Sequence, residues 1–87
     1  MSEYVEARFA LLTLEQARES TEDRATSLLN ALLQDLNPPE KDGSLRAETV
    51  TSIRHLAVLL CEHRTPPPSY WEAAYQAANA WRDNAYH

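Results

Sequence analysis

Apolar positions in the segment 25–36 recur with the period of an α-helix. They follow the spacing i, i+3, i+4, i+7, i+8 and i+11 at Ala25, Leu28, Leu29, Leu32, Leu33 and Leu36. This spacing places these side chains on one side of a helix, which is typical of a helix that buries that side in a core. The segment is the clearest periodic signal in the chain.

This helix could begin at either of two positions. The residues Thr-Leu-Glu-Gln at 13–16 match a capping box, in which a Thr side chain accepts a hydrogen bond from a backbone N–H and the Gln side chain reaches back. They predict one long helix from Leu14 to Leu36, straight or bent. Ser20 with Asp23 offers a second start, which leaves open a break near residue 20.

A short helix is predicted ahead of residue 13. Ser2 is a suitable N-cap, because a serine hydroxyl can accept a hydrogen bond from a free N–H of the first turn. Val5, Phe9 and Leu12 are then spaced along one side of this helix.

Prolines mark the end of the long helix and separate it from the next one. The Asn-Pro-Pro segment at 37–39 stops the helix, because a residue before proline is disfavoured in the α region. After a polar turn at 40–43, Ser44 is a good N-cap for a helix from Leu45 to Arg64. One face of this helix consists of Val50, Ile53, Leu56, Ala57, Leu60 and Arg64.

An unbroken apolar run, Leu-Ala-Val-Leu-Leu-Cys, occupies positions 56–61. A buried strand is rejected there, because nothing else in the chain could pair with it. A helix that is apolar nearly all round must be covered nearly all round. We therefore expect part of the cover to come from a second chain, and predict a homodimer. The predicted core includes Leu29, Leu32, Leu56 and Leu60.

A third proline-marked break precedes the C-terminal segment. Thr65 and the three prolines that follow it form a stiff, extended spacer. The residues Ser-Tyr-Trp-Glu at 69–72 match another capping box and predict a helix that continues to about Asn84. Its apolar face consists of Trp71, Ala74, Tyr75, Ala78, Trp81 and Ala85.

Together these elements predict an all-α fold. We expect a compact bundle of three long helices plus a short N-terminal helix, with residues 1–87 forming a single helical domain. One glycine against thirteen alanines agrees with this expectation, since alanine is the best helix former and glycine among the poorest.

Charge and cysteine content narrow the class of protein. Thirteen acids against eight bases give a net charge of −5, which disfavours nucleic acid as the main ligand. No apolar stretch approaches the roughly 20 residues of a membrane span, and no leader pattern is seen, so a cytoplasmic protein is expected. The single cysteine, Cys61, excludes an internal disulfide, which leaves a partner as the means to stabilise so small a chain.

Few residues are candidates for chemistry. A structural zinc site usually takes four ligands in two close pairs, and the chain offers only His55, Cys61, Glu62 and His63. Cys61 in its apolar context is expected to be a buried, unreactive thiol. A glycine-rich phosphate loop and a serine nucleophile motif are both lacking. We therefore expect no enzyme activity, no metal and no cofactor.

Two sets of residues are candidates for partner binding. The first is an acidic row at i, i+4, i+7 and i+8 of the predicted long helix: Glu15, Glu19, Glu22 and Asp23. Such a row is either a solvated face or a docking strip for a basic surface, including one that normally holds nucleic acid. The second set is aromatic, because aromatic side chains often dominate binding energy: Tyr70, Trp71, Tyr75 and Trp81.

The leading hypothesis is a non-enzymatic interaction module that binds and modulates, by inhibition, a larger protein. A self-associating homodimer is the alternative. A third is a weak DNA-binding regulator that uses Arg46, Arg54 and Arg64. In length, acidic charge and helical content the chain resembles small phage and bacterial inhibitors and regulators, anti-CRISPR proteins among them. That resemblance covers no motif and implies no residue roles.

Overall fold

Four α-helices make up the computed structural model, which describes residues 3–36 and 43–86. In chain order they are α1 (Glu3–Arg18), α2 (Glu22–Asp35), α3 (Leu45–Cys61) and α4 (Pro68–Ala85). Each helix packs against the next one in the chain, and α4 also packs against α1, so the four surround a shared hydrophobic core. The described ranges contain no strand. The radius of gyration of 12.0 Å is that of a compact chain of this length, and the predicted all-α fold is confirmed.

The helices are similar in length, from 14 to 18 residues, rather than three long ones and a short one. α1 continues through Thr13, which lies in the middle of the helix with its side chain buried in the bundle. The capping box predicted at 13–16 is therefore wrong. The predicted helix from 14 to 36 is also wrong, and the break near residue 20 is confirmed. Thr21 is the N-cap of α2, since its Oγ1 accepts a hydrogen bond from the Arg24 N–H at 3.4 Å.

The dimensions of the bundle agree with this break. An unbroken helix from Glu3 to Leu36 would be about 51 Å long at 1.5 Å per residue, whereas the longest dimension of the molecule is 37 Å. In such a helix Leu29 and Leu32 would lie beyond the ends of the other helices and would be exposed to water. The turn at 19–21 brings α2 back against α1, and both leucines are buried.

The starts of α3 and α4 show two kinds of helix initiation. The Ser44 Oγ accepts a hydrogen bond from the Ala47 N–H at 3.0 Å, which confirms the predicted N-cap. In contrast, α4 begins at Pro68, so Ser69 lies in its first turn and the capping box at 69–72 is wrong. Proline is favourable at the first position of a helix, because the N–H that it lacks would have no partner there.

A left-handed residue determines where α3 ends. His63 has a φ of 58° and follows the last helical residue, Cys61, by two positions. Its N–H donates to the Leu60 carbonyl at 3.0 Å, and the Arg64 N–H donates to the Leu59 carbonyl at 2.9 Å. These two bonds form a Schellman motif, which ends a helix. Arg64 therefore lies outside α3 and is exposed, not on the inner face where it was predicted.

Leucines of α2 and α3 lie at the centre of the core. All four predicted core residues are buried, which confirms them: Leu29, Leu32, Leu56 and Leu60. The apolar run at 56–61 is covered only in part, because Val58 is 50% exposed and Cys61 is exposed. The prediction of a buried thiol is wrong, since the outer side of α3 faces water. Val58 and Cys61 are the members of the run that the chain itself leaves exposed, and the homodimer stays a prediction.

Two polar contacts hold the beginning of α1 in place. The Trp81 Nε1–H donates to Glu3 Oε1 at 3.1 Å, and the Arg46 guanidinium lies 3.5 Å from Glu6 Oε2. Trp81 belongs to α4 and Arg46 to α3, and both are buried. These contacts fix which side of α1 turns outward.

Candidate functional site

Three apolar side chains of α1 face away from the core. Val5, Phe9 and Leu12 are 48%, 50% and 53% exposed, and their spacing of i, i+4 and i+7 aligns them on one side of the helix. We call these residues the α1 stripe. It extends over two turns, about 10 Å. A contiguous group of exposed apolar residues is typical of an interaction site.

A different face of α1, made mostly of small residues, packs against the core and leaves the α1 stripe exposed. The buried residues of α1 are Ala7, Ala10, Thr13, Leu14 and Ala17. Most of these side chains are small, so the backbone of α1 can lie close to its neighbours while the bulkier stripe faces water. Sequence reasoning singled out the larger residues and missed the alanine line. The spacing of residues 7, 10, 14 and 17, which is also helical, was the available signal.

A cavity of about 260 Å³ lies beside the α1 stripe, between α1 and the end of α2. Its lining includes Val5, Glu6, Phe9, Asp35 and Leu36. An apolar cavity of about 150 Å³ can hold benzene, so this one is large enough for one large apolar side chain. Two of the lining residues are acids, but Glu6 is paired with Arg46, so the negative charge at the border of the cavity comes mainly from Asp35.

Arg8 lies on the other border of the α1 stripe. Its guanidinium carbon is 5.9 Å from the centroid of the Tyr4 ring, within the range of a cation–π contact. Tyr4 in turn meets the edge of Tyr86 at a centroid distance of 5.4 Å. The ring of Tyr4 thus occupies one side of this basic group.

Two acids continue the outer side of α1 beyond the stripe. Glu15 and Glu19 follow Leu12 by three and seven positions and are exposed. Glu19 prolongs the last turn of α1, because its N–H donates to the Glu15 carbonyl at 3.3 Å. Neither carboxylate has an ion-pair partner within 4 Å among the described residues. The bases nearest to these acids, Arg18 and Arg82, lie against Tyr75 and Asp83, so the two carboxylates are the charges at this end that are available to a partner.

Tyr75 of α4 is close to these acids. Burial raises the pKa of its phenol above the ordinary 10.0, the Arg18 guanidinium opposes that rise, and Glu15 and Glu19 add to it. The guanidinium carbon of Arg18 lies 5.8 Å from the centroid of the Tyr75 ring. The packing of α1 against α4 thus brings three predicted site residues, Glu15, Glu19 and Tyr75, to one seam.

The other two acids of the predicted row lie on a different helix. Glu22 and Asp23 are in the first turn of α2, and Glu22 Oε1 is 3.1 Å from Nδ1 of His63. Carboxylates in a first turn interact favourably with the helix dipole, so these two have a structural role. The four acids do not share one helix face, because the chain turns at 19–21.

The predicted aromatic set is divided between the core and the surface. Trp71 and Trp81 are buried, with Trp81 only 1% exposed. Tyr70 is exposed and borders a shallow space beside His55, while Tyr75 is half-buried. Only the two tyrosines of this set reach the surface of the chain.

The residues considered for metal or DNA binding do not assemble into a site. The described ranges contain no group of three or more potential metal-ligating side chains. Arg46 is buried and bonded to Glu6, so it does not join the exposed Arg54 and Arg64 in a basic surface patch.

Comparisons with known proteins give no information on the function of this chain. No protein-family model, curated protein or solved structure matches the chain. Within the described ranges, no helix has both the length and the apolar character needed to cross a membrane. The features that bear on function are the α1 stripe, the cavity beside it, and the two acids Glu15 and Glu19.

Proposed function

We propose that this protein is a non-enzymatic interaction module that binds a larger protein through the outer side of α1. It inhibits that partner by covering part of its surface, in the cytoplasm. The observation that carries the proposal is the α1 stripe, in which Val5, Phe9 and Leu12 are each about half exposed along one side of a helix. A solvated helix face does not need three such residues in line, whereas a contact surface does.

The α1 stripe supplies part of the binding free energy. Fully burying a Val, Leu or Phe side chain is worth about 1.5–3 kcal/mol, so completing the burial of three half-exposed ones gives roughly 2–5 kcal/mol. Association costs on the order of 4–15 kcal/mol in lost freedom. The stripe alone therefore cannot hold a partner, and the cavity and the acids beside it must contribute to affinity.

A comparison of two serine variants tests the proposal. Phe9 and Val58 are both 50% exposed, one on the α1 stripe and the other on α3. The wild-type protein, Phe9→Ser and Val58→Ser are each immobilised and used to capture proteins from the native host, which are identified by mass spectrometry. We expect a protein that is captured by the wild type and Val58→Ser but lost with Phe9→Ser.

The fold of both variants is checked by thermal melting. Because both positions are half exposed, each variant should melt close to the wild type. Equal capture of every protein by the three samples would contradict the proposal, since binding would then not involve the α1 stripe.

A further inference from the structure

We propose that the α1 stripe binds a basic amphipathic helix of the partner, whose lysines or arginines face Glu15 and Glu19. This inference rests on the proposed function and specifies the chemistry of the partner. It follows from three properties of the outer side of α1, namely its spacing, its negative border and its poor match to a second copy of itself.

The spacing of the α1 stripe suits a helix laid alongside it. Apolar residues at i, i+4 and i+7 form the seam along which two helices pack side by side. The cavity between Phe9 and Leu36 opens beside this seam and is large enough for one large apolar side chain. An amphipathic helix presents apolar residues at the same spacing, so one can enter the cavity while others lie on Phe9 and Leu12.

The border of the α1 stripe is mainly negative. Glu15 and Glu19 are exposed beyond its end, and Asp35 is exposed beside the cavity. Three described bases lie near this border, and each has a contact within the chain: Arg8 lies against the ring of Tyr4, Arg18 against the ring of Tyr75, and Arg82 is 3.1 Å from Asp83. Opposite charges on the two sides of an interface favour association, and like charges oppose it. A helix with basic residues beside its apolar face therefore fits this surface better than an acidic one.

A second copy of the chain is a poorer occupant. In an antiparallel two-fold pair of α1 helices centred on Phe9, the same patch meets itself, and Arg8 of one copy lies on the same side as Arg8 of the other. Each copy also carries a net charge of −5 and exposed acids beside its stripe.

Two labelled synthetic peptides test this inference by fluorescence anisotropy. Both are amphipathic helices of about 20 residues with leucines on one face, and they differ only in lysine or glutamate at the bordering positions. At low salt we expect the lysine peptide to bind the wild type about tenfold more tightly than the glutamate peptide, from several exposed charge pairs. Equal affinity of the two peptides would overturn the inference.

Variants of the protein locate the binding surface. Phe9→Ser should weaken binding of the lysine peptide about tenfold through lost apolar contact. The double variant Glu15→Lys/Glu19→Lys should weaken it about fivefold and make it less sensitive to salt. Val58→Ser and Glu48→Lys/Glu62→Lys, which make similar changes on and beside α3, should leave it unchanged.

Other outcomes contradict the inference. If Glu48→Lys/Glu62→Lys weakens binding as much as Glu15→Lys/Glu19→Lys, the peptide responds to net charge and not to this surface. If light scattering shows a dimer that Phe9→Ser dissociates, a second copy occupies the α1 stripe. If capture from the host depends on Phe9 while the two peptides bind alike, the proposed function stands and only the chemistry of the partner is wrong.

Discussion

Ala7 and Ala10 are buried in the core, whereas Phe9, between them in sequence, is half exposed. A residue-by-residue ranking of hydrophobicity predicts the opposite arrangement, since phenylalanine gains more from burial than alanine. The close packing of α1 against its neighbours favours small side chains at the contact, because protein interiors leave little free volume. At the scale of single residues, the shape of the available space therefore overrides hydrophobicity.

The same substitution at two leucines tests this assignment of faces. Leu56→Ala removes a fully buried side chain and should lower the free energy of unfolding by about 2–5 kcal/mol. Leu12→Ala acts on a side chain that is 53% exposed and should cost less than about 1 kcal/mol. Urea denaturation followed by circular dichroism measures both. Equal losses of stability would show that the inner and outer faces are assigned wrongly.

The raised pKa of Tyr75 predicts that the folded protein loses stability in alkaline solution. Burial raises the pKa of its phenol above 10.0, so the folded protein holds this proton more tightly than the unfolded chain does. The contribution of the neutral Tyr75 phenol to the free energy of unfolding is fully present below about pH 10. It is lost as the pH rises through the folded-state pKa. Melting temperatures across this range should fall less steeply for Tyr75→Phe than for the wild type. Tyr70→Phe, the same change at an exposed position, should keep the steeper fall.

At the scale of elements, sequence predicts a helix end when a local side chain determines it. Ser44 was predicted as an N-cap from its residue type, and in the structure its hydroxyl accepts a hydrogen bond from the Ala47 N–H. The break at 19–21 contains neither glycine nor proline, but polar residues offered a start there at Ser20, and the structure uses the next residue, Thr21, as the N-cap. The end of α3 uses a left-handed histidine where glycine is usual. The end of α3 depends on this rare conformation, so periodicity alone could not place it.

His63 offers a direct test of how α3 ends. A residue other than glycine in the left-handed region is strained by roughly 1–2 kcal/mol, and the contact with Glu22 involves exposed groups and contributes little. His63→Gly should therefore raise the free energy of unfolding by about 0.5–1 kcal/mol. Glu62→Gly, at a neighbouring residue with an ordinary φ of −87°, should lower it. Chemical denaturation of the two variants decides between these signs.

At the scale of the whole molecule, the candidate site depends on which helices are neighbours. Sequence spacing identified Glu15, Glu19 and Tyr75 as candidates, but only the packing of α1 against α4 places the three at one seam. The same packing turns the α1 stripe outward. A periodic pattern shows that a helix has an apolar side, and it does not specify which neighbour covers that side.

The division of the acids between α1 and α2 leads to a whole-molecule prediction. Each reversal of an acid to lysine adds two charges, so Glu15→Lys/Glu19→Lys and Glu22→Lys/Asp23→Lys both change the net charge from −5 to −1. If the overall charge determined stability, the two variants would behave alike. Their positions differ, because one pair lies at the end of α1 and the other in the first turn of α2.

The helix dipoles predict opposite effects for the two variants. Lysines in the first turn of α2 oppose its dipole and remove the contact of Glu22 with His63, so Glu22→Lys/Asp23→Lys should lower the free energy of unfolding by about 1–2 kcal/mol. Lysines at the end of α1 are favourable for its dipole, so Glu15→Lys/Glu19→Lys should leave stability equal or slightly higher. Urea denaturation at low salt should show this difference, and high salt should reduce it by screening. Equal shifts would mean that net charge, and not the position of each acid on its helix, determines the response.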